Sequence, residues 1–74
     1  MTYDYSKLRG KIVEVYGSNR EFAKVMEWSE RTLSLKMNSK SFWKQNDIRR
    51  AATLLGIDQD RIGDYFFAIK VQKN

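Results

Sequence analysis

The architecture of this chain follows from one run of residues: Asn19-Arg20-Glu21-Phe22-Ala23-Lys24-Val25-Met26-Glu27-Trp28-Ser29-Glu30-Arg31-Thr32-Leu33-Ser34-Leu35-Lys36-Met37. Phe22, Ala23 and Met26 recur at helical spacing, so they share one face of a helix and point inward. Ser29 is suited to cap a second helix, because its hydroxyl can accept a hydrogen bond from an orphan backbone N–H. Leu33 and Met37, four residues apart, give that second helix its buried stripe. Only Glu27 and Trp28 lie between the helices, so the corner is tight and the helices cross steeply, as in a helix-turn-helix spanning about 19–37. Such a unit can lay its second helix in a DNA major groove.

Outward from this unit the same signals continue. Ser6 is expected to cap a first helix that runs to about Tyr16, with Leu8, Ile12, Val15 and Tyr16 along one face and Gly17 as its stop. Gly10 lies inside that helix at a cost of roughly 1 kcal/mol relative to alanine. Ser18 or Asn19 caps the second helix. Glu27 stands at the corner, where a non-glycine residue is expected near the left-handed region. Trp28 is read as a core anchor beneath the corner rather than a stacking platform for a ligand. After the turn Asn38-Ser39-Lys40-Ser41, Trp43 is expected to plug the core and Phe42 to be exposed. A fourth helix begins near Gln45 or Asn46, carries Ile48, Ala51, Ala52, Leu54 and Leu55, and stops at Gly56. Asp58 is expected to cap a fifth, through Ile62 to about Tyr65. The tail Phe66-Phe67-Ala68-Ile69-Lys70-Val71 alternates and is rich in β-formers, with Phe67, Ile69 and Val71 on one face. With no other strand foreseen, it is expected to pack on the helices or pair with a strand of another molecule.

Composition bounds the chemistry. The 74 residues leave room for one domain with a small core. Cysteine and histidine are both absent, so disulfides, thiolate metal sites, the usual zinc ligand and a Ser–His nucleophile pair are all excluded. The carboxylates are scattered among lysines and arginines, which argues against an enzyme and against any cofactor. A net charge of +5 and a pI near 9.7 suit a polyanionic partner. No apolar run approaches the roughly 18 residues of a membrane span and no signal-peptide pattern opens the chain, so a soluble cytoplasmic protein is expected. Lys7, Arg9 and Lys11 are each read first as solvated surface; for Arg49 and Arg50, near the first turn of the fourth helix, solvation and phosphate contact are both open.

Phe22-Ala23, Trp28-Ser29, Thr32-Leu33-Ser34 and Asn38-Ser39-Lys40 resemble the helix-turn-helix of small phage repressor and Cro-like proteins. The likeness extends from Tyr3-Asp4-Tyr5-Ser6-Lys7-Leu8-Arg9-Gly10-Lys11 to Tyr65-Phe66-Phe67. Taken whole, the chain resembles the small regulators of the lysis–lysogeny switch in temperate phages of Gram-positive bacteria, in particular the modulator-of-repression type of lactococcal phages. The resemblance implies an all-α, compact five-helix, phage-repressor-like (lambda-repressor-like) helix-turn-helix domain with a short extended C-terminal tail. It also implies a regulator in the host cytoplasm that acts on a partner repressor as well as, or instead of, on DNA.

The expected contact residues are Arg20, Glu30, Arg31, Ser34, Leu35, Lys36, Lys40 and Phe42. Arg20 stands where this family often carries a glutamine that bonds the DNA backbone, and arginine still reaches a phosphate. Arg31 is a guanine reader or a phosphate clamp. Glu30 favours the helix N-terminus but is repelled by phosphates unless it accepts from a cytosine amino group. Leu35 is apolar where the family usually shows a polar or basic residue; with Phe42 it begins an apolar patch.

Three roles compete. A direct operator-binding repressor would place the third helix in the major groove, contact phosphates through Arg20, Lys36 and Lys40, and act as a homodimer on two half-sites. An antirepressor would instead dock Arg31, Leu35, Lys36 and Phe42 on the DNA-binding domain of the phage's main repressor, an apolar anchor ringed by charge being suited to a small interface. The antitoxin of a toxin pair uses the same fold. Glu30, Leu35 and the family resemblance favour the modulator of repression.

Overall fold

The computed structural model describes residues 3–69. Five α-helices follow one another: α1 (Ser6–Tyr16), α2 (Asn19–Val25), α3 (Glu30–Met37), α4 (Gln45–Leu55) and α5 (Ile62–Phe66), the last entered through a 3-10 turn at Gln59–Arg61. The expected all-helical domain is therefore present. The buried side chains form one cluster to which every helix contributes: Leu8 and Ile12 from α1, Phe22 and Ala23 from α2, Leu33 and Met37 from α3, Ala51, Ala52 and Leu55 from α4, and Phe66 from α5. Tyr5, Met26 and Ile57 complete it from the connections. Val15, expected on the inner face of α1, is exposed. Leu8, Ile12 and Tyr16 already fill the stripe at four-residue spacing, and Tyr16 donates its hydroxyl to the Leu54 carbonyl at 3.1 Å.

The caps explain the element limits. Ser18 Oγ accepts from Glu21 N–H and Ser29 Oγ from Thr32 N–H, so α2 and α3 both start on a serine. The first helix differs from expectation: Ser6 is its first residue rather than its cap, and both its N–H and its hydroxyl donate to the Asp4 carboxylate. A carboxylate is the stronger acceptor and suits the positive end of a helix. The Asp58 side chain makes no capping bond either, although its backbone is extended as a cap requires.

Three helices end alike. After α2, Glu27 N–H reaches the Lys24 carbonyl and Trp28 N–H the Ala23 carbonyl; after α3, Ser39 N–H reaches Lys36 and Lys40 N–H reaches Leu35; after α4, Gly56 N–H reaches Thr53 and Ile57 N–H reaches Ala52. Each is a Schellman closure, which needs a left-handed residue at its centre. Gly56 meets that need without strain at φ 69°, but Glu27 at 62° and Ser39 at 59° do so with a side chain attached. The expectation for Glu27 holds; the same geometry at Ser39 was not foreseen. Arg50, left open between solvation and phosphate contact, is exposed but donates from α4 to the Val25 carbonyl at 3.1 Å and lies 3.7 Å from Glu27 Oε2, so it braces this corner.

The tail corrects another expectation. Ile69 forms an antiparallel bridge with Tyr3 of the same chain, and Asp4 N–H donates to the Ala68 carbonyl at 2.7 Å. The partner is the segment ahead of α1, too short to announce itself by alternation. Phe66 is helical and buried, and Val71 lies outside the described residues.

Glu27→Gly should raise unfolding free energy by about 0.5–1 kcal/mol, because relief of a left-handed penalty of ~1–2 kcal/mol exceeds the chain entropy that glycine adds. Urea denaturation measures it, and an unchanged or lowered midpoint would mean the Arg50 contact outweighs the strain.

Candidate macromolecular interface around the third helix

The hydrogen-bonded corner from Met26 to Ser29 sets α3 against α2, with Leu33 and Met37 turned into the core. That orientation leaves Glu30, Arg31, Ser34 and Leu35 exposed on the other side. Arg20 at the start of α2 is exposed too, and its Nε stands 3.9 Å from Glu30 Oε1. A pair this open contributes less than about 0.5 kcal/mol, so it neutralises charge locally rather than stabilising the fold. Arg31 and Lys40 have no ion-pair partner among the described residues. Ser34 is partly engaged, since Asn38 Nδ2 donates to its carbonyl at 2.9 Å and to its hydroxyl at 3.3 Å. Lys40 is joined to Leu35 through the backbone bond that closes α3, so the exposed cation and the exposed leucine lie on one turn.

Lys36 corrects the expected set. Its side chain is buried with 7% of the residue exposed, so it does not stand ready for phosphate. The ammonium donates to the Phe42 carbonyl at 2.6 Å, lies 3.6 Å from Asp47 Oδ2, and sits 5.0 Å from the centre of the Trp28 ring. A lysine survives such burial because a carbonyl, a carboxylate and an aromatic face together replace water. Its position was readable: 33, 36 and 37 are the i, i+3, i+4 spacing of a buried stripe, but a charged residue there invites assignment to the surface. Its carboxylate partner was not foreseen. Asp47 also accepts the Lys44 N–H at 3.1 Å, capping α4 while it balances Lys36.

Phe42 is 90% exposed, the most open of the large apolar side chains among the described residues. It stands at the edge of a hollow of about 250 Å³ whose walls include Tyr3, Trp43 and Phe67. Tyr3 and Phe67 are themselves half exposed and meet edge to face with centroids 6.0 Å apart. The apolar character expected from Leu35 and Phe42 therefore has a further aromatic component supplied by the two chain ends. No helix among the described residues is long and apolar enough to cross a membrane.

Residues 1–69 match the family described as "Protein of unknown function (DUF739)". The chain belongs to that family. Among solved structures, it is similar to the solution structure of the modulator of repression (MOR) of the temperate bacteriophage TP901-1 from Lactococcus lactis, at 47% identity, 97% coverage of each chain and a TM-score of 0.81. No curated protein matches the sequence. Likeness at this level, over nearly the whole of both chains, agrees with the resemblance carried by the corner, the turn after α3 and the aromatic ends.

Lys36→Ala should lower stability by about 1–3 kcal/mol, because Asp47 and the Phe42 carbonyl both lose a charged partner. Arg20→Ala should change it by less than about 0.5 kcal/mol. Equal effects of the two in urea denaturation would contradict the difference in burial.

Proposed function

We propose that this protein is a modulator of repression: a phage regulator of the lytic–lysogenic switch that binds the phage repressor through the surface built on α3. The observation that carries the reading is the 47% identity and TM-score of 0.81 to a phage modulator of repression over 97% of both chains. The make-up of the α3 surface supports the protein-binding form of that role. Glu30 is repelled by phosphate and is partly balanced by Arg20. Lys36 is withdrawn into the interior. Of the expected DNA-facing cations, Arg20, Arg31 and Lys40 remain exposed. Three phosphate contacts would give a salt slope of only about −2.7, against the 6–10 contacts of a strongly electrostatic DNA binder. Leu35 and Phe42 supply apolar area that a phosphate backbone does not use and a protein interface does.

The partner surface we assign is the repressor's DNA-binding domain. Direct operator binding is the second reading, favoured by the serine-capped start of α3, which presents Arg31 at a helix N-terminus, and by the net charge of +5.

Gel shifts on the phage switch DNA separate these. With this protein, the repressor and both together, the expected outcome is a change in the repressor's shift, either loss or a supershift, that depends on both proteins. A sequence-specific shift by this protein alone, with no effect on the repressor's, would establish the second reading instead. In the first case Arg31→Glu or Leu35→Asp should weaken the complex seen by size exclusion; if both leave it intact, the surface is misplaced.

A further inference from the structure

Phe42 is exposed on a backbone that has little freedom. Before it, Lys40 N–H and Ser41 N–H both donate to the Leu35 carbonyl, at 2.8 and 3.2 Å. At its own carbonyl, it receives the buried Lys36 ammonium. After it, Trp43 is held among Tyr5, Trp28 and Phe66, and Lys44 N–H is held by Asp47. A single exposed phenylalanine is ordinary. One whose backbone is held before and after it, beside a hollow lined by other exposed rings, needs little backbone ordering when a partner covers it.

We propose that Phe42 is the apolar anchor of the partner interface and that Lys36 is a positioning residue that presents it, by clamping the Phe42 carbonyl between α3 and α4. This rests on the repressor-binding role proposed above. The occupant it fits is a repressor surface with an apolar hollow wide enough for a phenyl ring and carboxylates at its rim. Lys40 and Lys44 flank Phe42, are exposed, and have no ion-pair partner among the described residues. The Lys36–Asp47 pair is internal, so the charge presented around the ring is positive. Lys36 thus contributes through backbone geometry rather than by touching the partner, which explains a buried cation next to an exposed aromatic.

The test is a double-mutant cycle by isothermal titration calorimetry, with the full chain and the phage's own repressor. Phe42→Ala should weaken binding roughly 10- to 100-fold, the range of a central aromatic anchor. Lys36→Met, which keeps the stem beside Trp28, should weaken it several-fold when Phe42 is present and have no further effect in the Phe42→Ala background. In the free protein, the heteronuclear NOE of residues 41–44 should fall in Lys36→Met while the rest of the chain keeps its values. Should Lys36→Met fail to fold, Asp47→Asn weakens the same clamp and retains an acceptor for the Lys44 N–H. Tight binding by the wild type with no loss in Phe42→Ala overturns the anchor and leaves the functional reading standing. A wild type that makes no complex overturns both. Equal losses from Lys36→Met in the two backgrounds, or an unchanged NOE, overturn the positioning role.

Discussion

A single indole ring joins the parts of this molecule that are far apart in sequence. Trp43 meets Phe66 at 5.1 Å and Trp28 at 5.5 Å between ring centres, both edge to face, and Tyr5 at 6.4 Å. The connection between α3 and α4 is thereby tied to α5, to the corner between α2 and α3 and to the residue ahead of α1. Each such pair contributes about 0.5–1.5 kcal/mol beyond its buried area. Trp43 Nε1 is buried and has no hydrogen-bond partner among the described residues, a cost of about 1–3 kcal/mol. Three ring contacts together with the burial of the indole offset that cost, and the unpaired N–H shows that packing, not hydrogen bonding, places this side chain.

The helices depend on that packing because they are short. α2 has seven residues and α3 eight, far below the ~12–15 residues that stand alone in water. Serine caps and Schellman closures define their ends, yet the closures at Glu27 and Ser39 force side-chain-bearing residues into the left-handed region. Tertiary contacts hold them there: Arg50 reaches from α4 to the Val25 carbonyl, and Trp28 meets both Trp43 and the Lys36 ammonium. The strained corner is stable only as part of the assembled domain.

The same contacts shape the surface that α3 presents. Withdrawing Lys36 removes one positive charge from it and fixes the Phe42 backbone. Arg20 beside Glu30 leaves a mixed rather than uniformly basic rim. The surface is left with few free cations and several exposed apolar groups, a balance that agrees with the repressor-binding role proposed above.

What the sequence alone determined is local. The serine caps of α2 and α3, the stops at Gly17 and Gly56, the inward stripe of Phe22, Met26, Leu33 and Met37, the strained Glu27 and the exposed Phe42 were all legible. Each depends on residues within one or two turns, and periodicity and capping chemistry report on that range. Tertiary structure decided the destinations of Lys36 and Arg50, the pairing of Ile69 with Tyr3, and the meeting of three aromatic rings on Trp43. A lysine or arginine at a borderline position bonds back onto the protein, buried like Lys36 or at the surface like Arg50, only if a carbonyl or carboxylate waits there, and here those acceptors come from other elements. Such partners become neighbours only when the chain has folded, so no local pattern announces them.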